Sequence, residues 1–115
     1  MTIQQIIEVL DAQLMTPHVN LAREVHAACG SDMMSDVLAY VKDQAVLVTG
    51  LNNPQVIRTA DMMDIVCIVF VRGKKPDELI IRMAEEREIA VLTTTKPMFV
   101  TCGILYQNGL HGGVS

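Results

Sequence analysis

The residues best suited to chemistry stand where predicted strands end and predicted helices begin. The stretch Ala45-Val-Leu-Val-Thr-Gly-Leu-Asn-Asn-Pro54 predicts a buried strand that runs into a polar turn. Asn53 can cap the helix that follows, and Pro54 suits its first position because a missing N–H needs no partner there. Free N–H groups at a helix start attract anions. The stretch therefore predicts a site for an anionic small molecule.

Three further turns of this kind follow other predicted strands. If the strands are parallel, their carboxyl ends lie along one edge of the sheet, where ligands commonly bind in α/β proteins. That edge gathers hydroxyls, amides, glycines that allow close backbone approach, and two cations. We predict a site there for a nucleotide or a phosphometabolite. The candidate ligand-binding residues are Ser31, Asp32, Thr49, Gly50, Asn52, Asn53, Arg72, Gly73, Thr94 and Lys96.

Helix capping is a competing explanation for most of these residues. Ser, Asn, Asp and Thr are the common N-cap residues, and Gly is common in tight turns. Arg72 and Lys96 are harder to explain by capping, because a cation near a helix N-terminus opposes the helix dipole. These two residues are the strongest candidates for ligand contact.

Catalytic signatures are scarce in this sequence. No G-x-x-x-x-G-K-[ST] motif is present, so the chain is not a P-loop kinase by itself. His18, His26 and His111 lack the spacing of metal ligands, and we expect no metal and no cofactor. Cys29 is the one arguable nucleophile, because a helix start after it could lower its pKa, but no histidine partner stands out. We predict no catalytic residues, and a small enzyme using Cys29 or Asp32 is the least favoured alternative.

The composition indicates one domain with an aliphatic core and with apolar surface that the core does not bury. The 115 residues are 50% apolar, with eight Met and no Trp. A mean hydropathy of +0.33 is high for so small a domain. It predicts a sheet covered on both faces, together with an apolar surface that meets a partner. We expect a homodimer.

Charge and cysteine content exclude several other classes. A net charge of −4 with scattered basic residues argues against nucleic-acid binding. No apolar run approaches the roughly 18 residues that span a membrane, so we expect no membrane contact. Cys29, Cys67 and Cys102 form no C-x-x-C pair, which is typical of reduced thiols in a cytoplasmic protein.

Apolar spacing divides the chain into a leading helix and four strand–helix units. The leading helix has Ile3, Ile6, Ile7 and Leu10 on one face. The predicted helices cover residues 2–10, 31–42, 53–63, 76–88 and 94–107, with Met34, Val37, Leu38 and Val41 as the apolar stripe of the second and Gly109 as the stop of the last. The predicted strands cover residues 24–29, 45–49, 65–71 and 89–93, with a further candidate at 13–16.

This alternation predicts an α/β fold, a single three-layer domain with right-handed crossovers. Its mainly parallel sheet has about four to six strands and carries helices on both faces. The seven consecutive apolar residues from Ile65 to Val71 have no polar face, so they indicate a central strand. We predict a domain over residues 1–110 and a flexible tail over 111–115.

The chain resembles the DRTGG domain, a small α/β module. This module is found at the N-terminus of HPr kinase/phosphorylase, in phosphotransacetylase-type proteins and between CBS domains of some family II pyrophosphatases. The likeness covers residues 2–108, and Gly30-Ser31-Asp32 resembles the family's earlier strand-to-helix turn. The best-matching stretches are Val46–Gly50, Ile68–Gly73 followed by Pro76, Leu79, Ala84 and Glu85, and Ile89–Thr94 with Thr101 and Ile104.

The resemblance implies a non-catalytic regulatory or ligand-sensing module that tends to dimerise. It does not imply kinase activity, because the phosphate-handling part of HPr kinase lies in a separate domain. After its Thr-Gly, the family usually continues with Gly, an acidic or amide residue, Arg and Thr, where this chain has Leu51, Asn52, Asn53 and Pro54. Only Asn52 is compatible, so a site at this turn is altered. The alternative function is a pure interaction subunit that docks a larger partner enzyme.

Overall fold

A five-stranded sheet forms the middle layer of the computed structural model, which describes residues 1–40 and 44–112. Along this part of the chain, the elements are α1 (Ile3–Leu10), β1 (Gln13–Leu14), β2 (Ala27–Gly30), α2 (Met34–Tyr40), β3 (Ala45–Thr49), α3 (Pro54–Met62), β4 (Cys67–Phe70), α4 (Glu78–Glu86), β5 (Ala90–Thr93) and α5 (Met98–Gln107). The strand order across the sheet is β1-β5-β4-β3-β2. None of the helices in the described ranges is long and apolar enough to cross a membrane.

The connections between strands explain how the helices are distributed. Strands β2 to β5 are parallel, and each pairs with the next one along the chain. Because all three crossovers move across the sheet in the same direction with the same hand, α2, α3 and α4 lie on one face. Helices α1 and α5 pack on the other face. The predicted three-layer α/β fold with a mainly parallel sheet is confirmed.

The two faces of the sheet bury separate apolar cores. In β3, Ala45 and Leu47 pack in the core with α2, α3 and α4, while Val46 and Val48 pack in the core with α1 and α5. Successive side chains of a strand point to opposite faces, so a strand covered on both sides has no polar face. All residues from Ile65 to Val71 are buried, as their unbroken apolar run predicted.

The N-terminal part of the chain differs from the predicted elements in two places. The predicted strand 24–29 begins only at Ala27, because Val25 N–H donates to the Met1 carbonyl at 2.7 Å and so pairs with the chain start. The strand candidate 13–16 shrinks to Gln13–Leu14, which runs antiparallel to β5. Thr2 caps α1 as predicted, and its side chain accepts a hydrogen bond from Gln5 N–H at 3.1 Å.

Helices α4 and α5 start later than predicted, whereas α3 starts where the sequence predicts. Helix α3 begins after the Asn53 cap as expected, with Asn53 Oδ1 accepting from Gln55 N–H at 2.9 Å. Helix α4 starts at Glu78 rather than Pro76, because Asp77 serves as its N-cap. Helix α5 starts at Met98 rather than Thr94, since the residue before Pro97 is disfavoured in helical geometry.

Helix α2 shows the largest departure from its predicted form. It starts at Met34, and Ser31 Oγ accepts from Met33 N–H at 3.0 Å just ahead of it. Asp32 does not cap it. Leu38, placed on the buried stripe by its spacing, is 42% exposed. The predicted stripe residue Val41 and the last-turn Lys42 lie outside the described residues.

The C-terminal segment returns to the edge strand of the sheet. Helix α5 ends with Asn108 as its cap, and Gly109 follows in the left-handed region at φ +103°, as predicted for a stop. The carbonyl of His111 then accepts from Ala28 N–H at 2.8 Å. Residues 113–115 of the predicted tail lie outside the described part of the chain, and the domain boundary stays a prediction.

Candidate functional site

The register of the sheet brings the predicted polar turns together. Gly30 pairs with Val48, Thr49 with Phe70, and Phe70 with Thr93, so the parallel strands end almost level with one another. The turns after β2, β3, β4 and β5 therefore lie side by side along the carboxyl edge. Which of their side chains face an open site depends on the contacts that each one makes.

Several hydrogen-bonding groups of the turn after β3 already have partners within the chain. Ligand contact at this turn stays a prediction. Asp32 Oδ1 accepts from Gly50 N–H at 2.6 Å and from the Thr49 hydroxyl at 3.1 Å. Leu51 N–H donates to Thr49 Oγ1, and Gln55 N–H donates to the Asn53 cap. These donors are the groups that an external anion would use at a helix start. The Asp32 carboxylate thus occupies part of the position that the sequence assigned to a ligand.

Arg72 lies in a tight turn after β4 whose backbone is left-handed. Its φ is +58° and that of Gly73 is +71°, and the turn is closed by Lys74 N–H donating to the Val71 carbonyl at 3.1 Å. The other non-glycine residues with positive φ in the described chain follow helix ends, where this geometry is common. In a turn away from a helix end, it costs an ordinary side chain about 1–2 kcal/mol.

Two hydrogen bonds from the neighbouring loop hold this turn in place. Arg72 N–H donates to the Lys96 carbonyl at 2.9 Å, and Gly73 N–H donates to the Thr94 carbonyl at 2.8 Å. The backbones of the β4 and β5 loops are therefore locked together. The left-handed conformation persists because its surroundings determine it.

The guanidinium of Arg72 lies directly over Gly50. A Cβ added to Gly50 would collide with Arg72 Nη2, and it would lie 3.5 Å from Asp32 Oδ1. Across the ranges that the structure describes, the Arg72 side chain makes no hydrogen bond or ion pair. Its donors remain available to a ligand at the sheet edge.

A cavity of about 280 Å³ is lined by Gly73 of this turn and by residues of the neighbouring loops. Lys75 and Thr95 are exposed at this edge, and Thr94 is buried. Asn52 Nδ2 donates to the Lys75 carbonyl at 3.1 Å and so ties the β3 turn to the cavity wall. The residues lining the cavity are Asp11, Gln13, Gly73, Lys75, Thr93, Thr94 and Thr95.

Of these lining residues, Gly73 and Thr94 were candidate site residues from the sequence, and five were not: Asp11, Gln13, Lys75, Thr93 and Thr95. Asp11 and Gln13 reach the edge because β1 runs antiparallel to β5, which places its first residue opposite Thr93. No local sequence pattern predicts the antiparallel pairing of β1 with β5. Lys75 had a signal, since it follows Arg72 and Gly73 in the same polar turn.

Three of the predicted site residues make contacts that explain them structurally. Lys96 Nζ donates to the Leu10 carbonyl at 2.7 Å, where a cation complements the C-terminal end of α1. Asn53 caps α3, and Ser31 bonds to Met33 N–H. Ligand contact by these three residues stays a prediction, and their observed contacts favour structural roles.

The cysteines show none of the features of a reactive site. Desolvation by burial raises the pKa of the Cys29 thiol, and the neighbouring Cys102 and Asp36 raise it further. This direction is opposite to the lowered pKa that would make Cys29 a nucleophile. Burial also raises the pKa of Cys67 and of Cys102. In the part of the chain with described geometry, no three His, Cys, Asp or Glu residues cluster as metal ligands.

These features define a three-layer α/β domain whose sheet has polar, partly cationic turns along its carboxyl edge. The DRTGG domain model matches residues 5–107. The chain belongs to the DRTGG domain family. None of the curated proteins compared matches the chain.

One solved structure with a similar fold contains the CBS and DRTGG domains of the regulatory region of Clostridium perfringens pyrophosphatase, complexed with its activator diadenosine tetraphosphate. The TM-score is 0.77 and the sequence identity is 17%. The match covers 92% of this chain and 46% of that one, so this chain spans less than half of the length of its neighbour. At this identity the likeness concerns the fold.

Proposed function

We propose that this domain is a non-catalytic regulatory module that senses an anionic small molecule at the carboxyl edge of its sheet. The observation that carries the proposal is the Arg72 guanidinium, which has no partner among the described residues and lies over Gly50. It belongs to a left-handed turn whose next residue, Gly73, lines the cavity at Lys75. A nucleotide or a phosphometabolite is the class of ligand that fits.

The chemistry of the edge favours phosphate. A guanidinium offers five donors in a planar fork that matches two phosphate oxygens. Lys75 adds a second positive charge, and the hydroxyls of Thr94 and Thr95 add polar contacts within the same cavity. The Asp32 carboxylate accepts hydrogen bonds from Gly50 and Thr49. Its negative charge would repel a phosphate, so we expect the phosphate to bind away from the β2 side of the edge.

The related structure supports a regulatory role. In the pyrophosphatase, the region that includes the DRTGG domain is regulatory, and it was solved with a nucleotide activator. We extend this role to the present chain as a proposal, together with a homodimeric state and a cytoplasmic location. A sensor of this kind acts by binding a ligand more tightly in one state than in another.

Thermal denaturation in the presence of nucleotides, dinucleoside polyphosphates and phosphometabolites tests the ligand. A compound at 100 times its Kd stabilises the folded state by about 2.7 kcal/mol, so at least one member of the panel should raise the Tm by several degrees. Arg72→Asn should abolish this rise, because Asn tolerates the left-handed backbone but lacks the cation.

Two control variants make this result specific. Arg58→Ala removes an exposed guanidinium from α3 and should leave the Tm rise intact. Lys96→Met removes the contact with the Leu10 carbonyl, so it should lower the Tm of the free protein and leave the rise intact. No Tm rise with any compound would remove the sensing proposal, and an undiminished rise in Arg72→Asn would remove Arg72 from the site.

The second candidate function is an interaction subunit that docks a larger enzyme. The observation in its favour is the exposed, uncharged side of α5, where Phe99 and Tyr106 face solvent. Purification of the full chain with a stoichiometric partner enzyme, combined with no response to the ligand panel, would favour this function over the first.

A further inference from the structure

We propose that the exposed side of α5 is the two-fold interface between two copies of this chain. The inference rests on the homodimer in the proposed function and adds the surface and the register of the contact. We define the α5 face as Phe99, Val100, Gly103 and Tyr106, which follow one another at helical spacing and are all exposed.

Helix α5 is apolar on all sides, unlike an ordinary surface helix. Its inner side packs through Thr101 and Leu105, while Phe99 is 89% exposed and Tyr106 is 64% exposed. A helix without a polar face is normally buried on every side. Because the fold covers only the inner side, the outer side lacks the partner that its composition requires.

Charge favours a second copy as that partner. The segment from Met98 to Asn108 contains no charged residue, whereas α1, α2, α3 and α4 each carry at least one acidic side chain. Each copy has a net charge of −4. Two identical molecules repel each other least where they meet through an uncharged surface, and this face also offers no charge to a strongly charged partner.

The positions along α5 are self-complementary about Gly103. If two α5 helices cross antiparallel with the two-fold axis at Gly103, Val100 of one copy lies opposite Tyr106 of the other, since each is three residues from the axis. Phe99 then lies opposite Gln107. A Cβ added to Gly103 would meet no atom within 4 Å in the single copy, so the bare backbone at this position leaves room for a second helix to approach.

A groove at the end of α5 can receive the Phe99 ring of the second copy. It has a volume of about 110 Å³ and is lined by residues that include Cys102, Tyr106 and Leu110. The ring of Tyr106 is held against His111, with a centroid distance of 4.5 Å. The groove is similar in size to a cavity of roughly 150 Å³ that holds a benzene ring.

The two aromatic side chains of the α5 face can supply about half of the area of a small specific interface. At their observed exposure, Phe99 and Tyr106 present about 300 Å² in each copy, given roughly 150–250 Å² for a large aromatic side chain. Two copies would bury about 600 Å² through these residues alone, half of the roughly 1,200 Å² at the lower limit of specific interfaces. Apolar atoms normally supply about 56–65% of such an interface. The exposed part of Val100 adds to the apolar area that Phe99 and Tyr106 supply.

Sedimentation velocity of the full chain tests this interface. The wild-type protein should sediment as a dimer, and Phe99→Asp should raise the dimer dissociation constant by about 30-fold or more, the effect of removing an interface hot spot. Leu79→Asp is the matched control, because Leu79 is 52% exposed on α4 at the opposite face of the sheet. It should leave the dissociation constant unchanged.

A cross-link locates the axis independently of affinity. Gly103→Cys should form a disulfide-linked dimer under mild oxidation, because a residue on a two-fold axis faces its own copy. Met62→Cys, on the exposed side of α3, should stay monomeric on a non-reducing gel. The wild-type chain with its native cysteines is oxidised in parallel and should give no covalent dimer.

The outcomes separate this inference from the proposed function. A wild-type monomer overturns both the homodimer and the α5 interface. A dimer that is unaffected by Phe99→Asp and is not cross-linked through Gly103→Cys overturns the α5 interface alone. Ligand-induced Tm shifts are measured on the same samples. If they are absent while α5 controls the dimer, the sensing proposal fails and the interface stands.

Discussion

Arg72 keeps a charged side chain at a backbone position that favours glycine. Its left-handed φ, the glycine that follows and the two hydrogen bonds from the β5 loop fix the turn. In contrast to Lys96, which reaches the Leu10 carbonyl, the Arg72 guanidinium has no partner in the described structure. Strained backbone conformations of this kind are often found at binding sites, and this is the strongest support for the proposed ligand site.

Replacing Arg72 with glycine should separate stability from binding. Arg72→Gly removes a left-handed penalty of about 1–2 kcal/mol, partly offset by the greater freedom of glycine in the unfolded chain, about 0.4–1 kcal/mol. The free energy of unfolding in urea should rise by about 0.5–1 kcal/mol, and the ligand-induced Tm rise should disappear.

Glu88→Gly provides the control, because Glu88 is an ordinary side chain with φ +57° after the C-cap of α4, away from the candidate residues. It should show a similar gain in unfolding free energy and keep the response to ligand. A lower unfolding free energy in Arg72→Gly than in the wild type would contradict the strain assigned to this turn.

At the scale of elements, the short strand β1 depends on a side chain that continues its pairing. Only Gln13 and Leu14 form the strand, but Met15 N–H donates to the Val91 carbonyl at 2.8 Å. Thr16, fully buried, accepts from Val91 N–H through its Oγ1 at 2.9 Å. This pairing covers the edge of β5 and places Asp11 and Gln13 at the cavity.

Thr16→Val should therefore be destabilising although it preserves shape. The substitution leaves the buried Val91 N–H without an acceptor, which costs about 1–3 kcal/mol. Thr16→Ser keeps the hydroxyl and should lower the free energy of unfolding much less. Urea unfolding of both variants measures the difference, and equal unfolding free energies would show that the hydrogen bond contributes nothing. Thr95→Val, at an exposed position, should be neutral.

The whole molecule is built around β4, which is covered by helices on both sides. Cys67 is fully buried in this strand, and burial raises the pKa of its thiol. Because alkylation requires the thiolate in contact with solvent, raising the pH from 7 to 9 should not expose Cys67 to reagent in the native protein.

Cys67 should consequently report global unfolding. In a variant that retains Cys67 alone, the rate of alkylation should rise with urea in parallel with the unfolding equilibrium. In the wild type, the half-buried Cys102 should react before Cys67. Rapid labelling of Cys67 in native buffer would indicate a local opening of the central strand instead.

The sequence predicted the central part of this fold because its signals there are local. The runs 45–49 and 65–71 are apolar on both faces, and Asn53-Pro54 marks a helix start whatever the surroundings. The hydrogen bond between Gly50 N–H and Asp32 Oδ1 was not predicted, because the two residues lie 18 positions apart in the sequence.

Other features depend on contacts between elements that spacing does not reveal. The antiparallel pairing of β1 was missed for this reason, since two residues carry too short a pattern. In α5, apolar residues lie on every side, so their spacing did not predict which side of the helix is buried. The hydropathy of the chain predicted unused apolar surface without showing where it lies.

Both ends of the described chain are attached to one short segment of the sheet edge. The Met1 carbonyl accepts from Val25 N–H, and the His111 carbonyl accepts from Ala28 N–H, three residues further along. When the two ends of a domain lie this close together, the domain can be inserted into a surface loop of a host protein without separating the two ends of that loop. In such a fusion, a shift between α1 and α5 would change the spacing of the two host segments.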